Sequence, residues 1–324
     1  MSPPALSVVM PVYNCAAYVD DAVRSVLDQT FRDFEFVILD NGSQDASVEI
    51  LRRWAARDDR IRLIEEAEPL GIAGSSNVAT RHARAPLIAR MDADDRSKPE
   101  RFAREVPLLS ARRDDVLVAA MSDFIDERGR VVRPPDRWFL LRPRVRPPFS
   151  HGSIIYRREA FERVGGYRAE AGSWADLDFI QRLGEVGGFA VLTDALYEHR
   201  FTATSTTSGA ALDRAIESHS SRHRCVRARL DREPPKERAM AANALYEREA
   251  MHLWAGHRPR LLGELLSRRL ISPTPSSVVI LAWAGAAFVW PSGLRRAVRT
   301  ILWARDRVSR ARLGSQEVIY WRFG

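Results

Sequence analysis

The chain has 324 residues, of which 45% are hydrophobic and 28% charged, with a formal net charge of +8. That length can bury one large domain and leave an appendage. The only cysteines, Cys15 and Cys225, fall in separate regions, which excludes a disulfide framework and any cysteine zinc spacing.

Residues 6–95 repeat one pattern. Leu6–Val12 reads as a strand, and Val19, Ala22, Val23, Val26 and Leu27 then recur at helical spacing. Phe34–Leu39 reads as a second strand, ending at Asp40. Asn41–Gln44 is turn chemistry, and Asp45 is placed to cap a helix carrying Val48, Leu51, Trp54 and Ala55. Ile61–Ile64 is a third strand. A glycine-containing loop, Gly71–Asn77, leads into another helical stretch and then the apolar run Pro86–Ala89. Directly after that run comes Met91-Asp92-Ala93-Asp94-Asp95. Ser97-Lys98-Pro99-Glu100 then has the form of a capping box opening a further helix. Alternating strands and helices predict an α/β fold, a mostly parallel central sheet with helices on both faces. Asp40 and Asp92 then both end strands on one sheet edge, where such sheets bind ligands. Two acids one residue apart, on chain leaving a strand, suit a hard cation that bridges to phosphates; read alone, the same residues make a solvated helix-capping turn.

These residues carry a resemblance. Pro11-Val12-Tyr13-Asn14, Asp40-Asn41-Gly42-Ser43-Gln44-Asp45 and Asp92-Ala93-Asp94-Asp95 stand in the order found in family 2 glycosyltransferases of the GT-A fold, of the bacterial polysaccharide-biosynthesis type. Downstream, His151–Arg158 with Val164–Tyr167 resembles that family's acceptor-side segment, and Trp174–Phe179 its catalytic-base motif. The resemblance covers roughly residues 1–210. It implies inverting transfer of a sugar from a nucleoside-diphosphate sugar donor, usually with a divalent metal, Mn²⁺ or Mg²⁺. It implies a metal held by Asp94, with Asp92 near the ribose and the metal. Asp40 would bond the nucleotide base, with Pro11 and Tyr13 bordering its pocket. Gly71 and Asn77 would shape a loop near the nucleotide. Residues 1–120 would form the nucleotide-sugar half of a domain, 121–210 its acceptor half, and 211–324 a helical C-terminal extension.

The residues themselves leave local alternatives. Asp40 also fits a turn residue bonding its own backbone, and Tyr13 fits core filling as well as base stacking. Asp176 is the candidate general base. On a helix it shares a face with Phe179, Ile180, Leu183 and Val186, which is expected to be the buried one, whereas Asp178 points elsewhere. Asp176 also fits a helix cap. Several positions depart from the family pattern. Ala175 replaces a common acid, Asn41 a second Asp, and Pro69 a common Asn; Thr202 stands where many members carry His, with His199 out of register. Arg200 remains, and a guanidinium suits a diphosphate, or else makes a surface salt bridge.

Charge is uneven: residues 211–324 carry 21 Lys+Arg against 10 Asp+Glu, a net of +11, which leaves residues 1–210 at −3. The tail holds an uncharged window from Ile271 to Leu294, with an apolar run from Ser277 to Trp290. The full window just reaches the ~20 residues of a spanning helix. Leu294, Val298, Ile301 and Leu302 then share one face among arginines, the profile of a helix at an anionic membrane surface; packing against its own domain or a partner chain is the other reading. Met1–Pro4 runs almost directly into a strand without a secretory pattern. The expectation is a cytoplasmic chain, peripheral on the membrane, acting on a glycan or lipid-linked glycan acceptor. No interleaved aromatic and basic surface supports nucleic-acid binding. The competing classes are a degenerate nucleotide-sugar binder, favoured by Ala175 and Thr202, and a nucleotidyltransferase. The latter lacks support because Tyr13–Ala17 has no Gly, Lys or Arg.

Overall fold

A computed structural model describes residues 3–133, 149–201 and 317–321, with isolated positions between 307 and 315. One compact unit comprises Met1–Arg137, Pro148–Arg200 and Leu313–Gly324, and the whole central sheet lies within it. The apolar run 277–290 and the arginine-lined segment 294–305 lie outside the described residues. Among the described residues no helix is long and apolar enough to cross a membrane.

The chain begins with β1 (Leu6–Val12), α1 (Val19–Leu27), β2 (Phe34–Asn41), α2 (Ser47–Ala55) and β3 (Ile61–Glu66). It continues with α3 (Gly71–His82), β4 (Leu87–Arg90), β5 (Arg96–Ser97), α4 (Arg101–Ala111), β6 (Asp115–Ile125) and β7 (Val131–Arg133). A 3-10 turn at His151–Ser153 leads to β8 (Ile154–Arg157), α5 (Arg158–Arg163), α6 (Ala175–Val186), β9 (Gly188–Arg200) and β10 (Val318–Trp321). The sheet order is β10-β9-β6-β8-β4-β1-β2-β3. β1 to β4 are mutually parallel, β8 and β10 are antiparallel to their neighbours, and β9 runs parallel to β6. The sheet is therefore mostly parallel, as the alternating pattern predicts.

All five apolar positions read from the α1 spacing are buried: Val19, Ala22, Val23, Val26 and Leu27. They meet Leu6, Val8, Met10 and Val12 of β1, Phe36 and Ile38 of β2, Leu51 of α2, and Phe102, Val106 and Leu109 of α4 in one core. α3 packs against β1 and β2 and touches α6, which also meets α5. Helices thus cover both faces, and β1 and β2 read as near-continuous apolar runs because each is buried on both sides.

Two local expectations are corrected. The segment Gly71–Asn77 is not a loop but the first half of α3. Its small residues Ala73, Ser75 and Ser76 are buried, and Ser75 Oγ donates to the Gly71 carbonyl at 2.7 Å. A stripe of small residues lets a helix lie close to the sheet but gives little apolar periodicity to read. The capping box also fails: α4 starts at Arg101, whose N–H bonds the Lys98 carbonyl at 3.0 Å. Ser97 sits in β5, paired with Tyr197 of β9.

β10 has no counterpart among the strands expected from sequence. Its register on β9 runs from Val318 opposite Leu192 to Trp321 opposite Phe189, and the Trp321 ring stacks on Phe149 at 6.3 Å. The last described residues of the region assigned to an extension therefore complete the central sheet. Trp321→Ala is expected to cost about 3 kcal/mol of stability through the cavity it leaves. An unchanged urea midpoint for that variant would show that β10 is not part of the folded unit.

Candidate active site

β1 lies between β2 and β4. The chain visits β2 and β3 on one side of β1 before β4 forms on the other, so the carboxyl ends of β1 and β4 flank a topological switch point. Pairing of β1 with β4 ends at Val9 and Arg90, with the Met91 N–H reaching the Val9 carbonyl at 3.0 Å. Residues two apart in a strand present their backbone to the same neighbour. Pro11 therefore turns its missing N–H toward the gap where β4 has diverged, and no ladder bond is lost. This is why a proline is tolerated in a central strand here.

At the end of β2, Asp40 is 2% exposed. Its Oδ2 accepts the Ser43 N–H at 3.0 Å, which satisfies the turn reading for one oxygen. Its Oδ1 is buried and has no partner among the described residues. A buried acceptor left unpaired costs roughly 1–3 kcal/mol, so a ligand N–H would be favoured here. Tyr13 is 51% exposed, which removes the core-filling reading for it. Asn41 is not a substitute acid: its Oδ1 accepts the Leu70 N–H at 2.7 Å and fixes the entry to α3.

Beyond β4, the acidic turn is held from below. Arg90, buried, pairs with Asp92 Oδ1 at 2.8 Å and donates to the Met91 carbonyl at 2.8 Å. The Asp92 N–H reaches Tyr197 Oη at 3.3 Å. A Cβ on Gly152 would clash with Tyr197 Oη and lie 2.9 Å from Asp92 Oδ2; only glycine lets the acceptor-side segment pass this close. Burial pushes Asp92 upward, but Arg90, with His151 and His199, holds it below the usual carboxylate range. Asp94 behaves oppositely. Burial first, then the like charges of Asp95 and Asp92, raise it to about 7. No ion pair to Asp94 exists among the described residues.

Asp95 has a different task. It accepts the Arg200 N–H at 2.7 Å and pairs with His199 Nδ1 at 3.2 Å. Burial alone would depress His199, yet Asp95 and then Asp94 lift it to about 9. His199, out of register in the sequence pattern, thus sets an imidazole beside the acidic turn, where the carboxylates favour its protonated form. No linear spacing could reveal this, because β9 reaches the turn only through the sheet.

Arg200 is held by the protein itself. It is 2% exposed and its guanidinium is committed to the protein. Nε donates to the Asp94 carbonyl at 2.7 Å, Nη1 reaches the Glu127 carbonyl at 3.1 Å, and Nη2 lies 3.4 Å from Asp21. In this arrangement it is a strut that fixes the backbone carrying Asp94 and pairs with Asp21. Asn77 is likewise engaged: its amide donates to the Tyr167 carbonyl and accepts the Tyr167 N–H, both at 2.8 Å. It fastens α3 to the acceptor-side segment. Gly71 opens α3 with φ of 69°, a left-handed conformation that suits glycine.

On α6, Phe179, Ile180 and Leu183 are buried as predicted, with Val186 only partly so. Asp176 is half-buried, and its Oδ1 accepts the N–H of the adjacent Leu177 at 2.7 Å. Asp178 is consumed by Arg182, whose Nη2 sits 2.6 Å from it while the same guanidinium holds the carbonyls of Val164 and Gly166 at 2.7 Å. Asp176 is therefore the less committed carboxylate of the pair. The Tyr167 ring stacks on Phe179 of the same helix at 4.1 Å, and His151 Nε2 lies 2.8 Å from Tyr167 Oη.

A metal fits one part of this arrangement. Among the described residues no three His, Cys, Asp or Glu side chains are grouped to ligate an ion. Asp92 and Asp94 offer oxygen donors only. Hard cations are commonly bound through one or two carboxylates, with substrate phosphates completing the shell.

A buried, mostly parallel sheet with acids at the β1/β4 switch point is the arrangement of the GT-A fold. The fold is shared with the mannosyltransferase PcManGT from Pyrobaculum calidifontis in complex with GDP-Man and Mn²⁺, at TM-score 0.60 and 19% identity over 96% of this chain and 87% of that one. It is also shared with Staphylococcus aureus TarS 1–349 in complex with UDP-GlcNAc, at TM-score 0.58 and 17% identity over 94% and 88% of the two chains. In sequence, the "Putative glycosyltransferase EpsE" of Bacillus subtilis strain 168 is 32% identical over 209 residues, 61% of this chain and 74% of EpsE. Chondroitin synthase of Escherichia coli is 30% identical over 220 residues, 67% of this chain but only 32% of that enzyme. The profile of glycosyl transferase family 2 matches residues 7–165. The chain belongs to glycosyl transferase family 2 and is a glycosyltransferase.

Proposed function

We propose that this glycosyltransferase moves a sugar from a nucleoside-diphosphate sugar to a hydroxyl of a glycan or lipid-linked glycan, by metal-assisted single displacement with inversion. The observation that carries the reading is the division of labour among the acids at one sheet edge. Asp40 keeps a buried oxygen, unpartnered among the described residues, for a base N–H. Asp92 is charge-compensated by Arg90. Asp94 makes no ion pair among the described residues and, despite His199, is pushed up to about 7.

In this reading Pro11, Tyr13 and Asp40 hold the nucleoside, and Asp94 with Asp92 holds Mn²⁺ or Mg²⁺. A bound divalent ion supplies Lewis-acid stabilisation of the departing diphosphate. Asp176 accepts the proton of the acceptor hydroxyl while that oxygen forms its bond to the anomeric carbon. The bond from that carbon to the diphosphate breaks on the opposite face, and the nucleoside diphosphate leaves with the electron pair. Arg200 and Tyr197 keep the acidic turn in place. The degenerate-binder alternative is weakened at Ala175. That side chain is fully buried, so an acid is not missing from an open site surface there. Thr202 lies outside the described residues. We assign the apolar run 277–290 and the arginine-lined segment 294–305 to peripheral contact with an anionic membrane surface, on the strength of that run and the +11 charge of residues 211–324.

The neighbours' ligands, GDP-Man with Mn²⁺ in one and UDP-GlcNAc in the other, set the first test. A thermal-shift screen of nucleoside diphosphates with Mn²⁺ is expected to pick out one base, with a shift of about 2.7 kcal/mol in stability at a hundredfold excess over Kd. No stabilisation by any of them would overturn the donor assignment.

A further inference from the structure

Among the described residues Asn14 is the one non-glycine residue with a positive φ, at 48°. Residues other than glycine enter this left-handed region rarely, and asparagine does so more readily than most. Asn14 stands two residues past β1, whose last pairing with β2 is Val12 opposite Asp40. In place of further strand pairing, it exchanges two hydrogen bonds with the turn after β2. Its N–H donates to Ser43 Oγ at 3.0 Å, and its Oδ1 accepts the Gln44 N–H at 2.8 Å. Ser43 donates its own N–H to Asp40 Oδ2 at 3.0 Å. One serine therefore ties the Tyr13–Asn14 peptide to the carboxylate of Asp40. With Oδ2 engaged, the direction of the buried Oδ1 is set, and the backbone of the exposed Tyr13 is fixed relative to it. The next two N–H groups are committed as well. Cys15 donates to Ser47 Oγ at 2.8 Å, and Ala16 to Asp45 Oδ2 at 3.0 Å. Consecutive backbone N–H groups in a turn can form a nest for phosphate. Here all three meet side chains, one of them an acid, so the loop is built for an uncharged part of a ligand.

We propose that Asn14 is a positioning residue for nucleobase selection: its left-handed bend and its bonds to Ser43 and Gln44 hold Tyr13 and Asp40 as one rigid cradle for a nucleoside. This rests on the nucleotide-sugar reading above, in which Pro11, Tyr13 and Asp40 meet the nucleoside. Asn14 touches no substrate and works through the backbone. A left-handed non-glycine residue persists where the surrounding bonds over-determine it, and the bonds here lead directly to Asp40. A carboxylate reads a base N–H only over a limited range of directions. A loosened loop lets Tyr13 and Asp40 move independently, and the match to one base is lost. The diphosphate and the metal, common to every nucleoside diphosphate, are served by Asp92 and Asp94 instead.

The test is calorimetric binding of UDP, GDP, ADP and CDP, each with Mn²⁺, to the full chain and to Asn14→Asp, Asn14→Gly and Ser43→Ala. Aspartate tolerates the bend and keeps an acceptor for Gln44, whereas glycine keeps the bend and loses the acceptor. Alanine at position 43 removes the acceptor of the Asn14 N–H but leaves the backbone bond to Asp40. Asn14→Gly and Ser43→Ala are each expected to weaken the preferred nucleotide by ~3- to 10-fold, the worth of one neutral hydrogen bond. The other nucleotides change little, so base selectivity narrows. Asn14→Asp is expected to keep the wild-type selectivity, since repulsion from its charge falls on all the diphosphates alike. A residue that merely stabilised the loop would lower the urea midpoint and leave selectivity unchanged. Unchanged selectivity in either Asn14→Gly or Ser43→Ala therefore overturns the proposal, while the donor reading stands. A wild-type chain that binds these nucleotides without preference among the bases overturns it too. A wild-type chain that binds none of them overturns the donor reading, and the proposal with it.

Discussion

Asp176→Asn is expected to lower the transfer rate by ~100- to 10,000-fold, the usual worth of general-base catalysis, while nucleotide-sugar affinity stays near wild type. Asn keeps the size of the side chain and its bond to the Leu177 N–H, but it cannot take a proton from the attacking hydroxyl. The companion variant sharpens the test. Asp178 is tied to Arg182, which in turn holds the Val164 and Gly166 carbonyls. Asp178→Asn should therefore cost stability, about 1–2 kcal/mol for a weakened charge-assisted bond, with a much smaller loss of rate per folded molecule. Paired measurements of donor affinity, transfer rate and urea midpoint separate the two. A dead but stable Asp178→Asn beside a near-normal Asp176→Asn would place the base on the other carboxylate.

Asp94→Asn is expected to abolish turnover and the stabilisation by Mn²⁺, and to leave a folded chain. The side chain makes no ion pair among the described residues, so its neutral isostere removes no internal salt bridge. The pH dependence follows from the raised titration of Asp94 to about 7. Its folded value lies above the unfolded one, so ionisation between them disfavours the metal-free fold, and this penalty is complete above about pH 7. A bound cation offsets that repulsion and competes with the proton. The thermal shift produced by Mn²⁺ should accordingly be larger at pH 8 than at pH 6, and the difference should vanish in Asp94→Asn. Full turnover in chelator, or by the Asn variant, would remove the metal from the mechanism.

Legibility in the sequence differs from element to element. Strand β1 is readable to its last residue, and β2 nearly so. A strand covered on both faces must be apolar throughout, and Leu6–Val12 and Phe34–Leu39 are largely so. The buried stripe of α1 follows from spacing for a related reason, since one face alone meets the core. The placement of Asp40 and Asp92 on one edge follows from the alternation of elements, because parallel strands share their carboxyl ends. α3 escapes because its contact face is made of Ala, Ser and Thr, which pack by being small and leave no hydrophobic period. β10 escapes because a four-residue strand far along the chain has no local mark distinguishing it from a loop.

The site divides along the same line. Sequence alone determined which carboxylates stand at strand ends and at the start of α6, since their positions follow from local periodicity and from the order of the motifs. Tertiary structure alone decided what each polar group has left to give. Arg200 looks available in sequence and is buried among carbonyls. Asn77 looks like a loop residue and clasps Tyr167. His199 and Tyr197 reach the acidic turn across the sheet, in bonds that span as many as 105 residues of chain. Donor and acceptor capacity is spent through contacts remote in sequence, so the difference between a ligand-binding group and a structural one appears only when the strands are side by side.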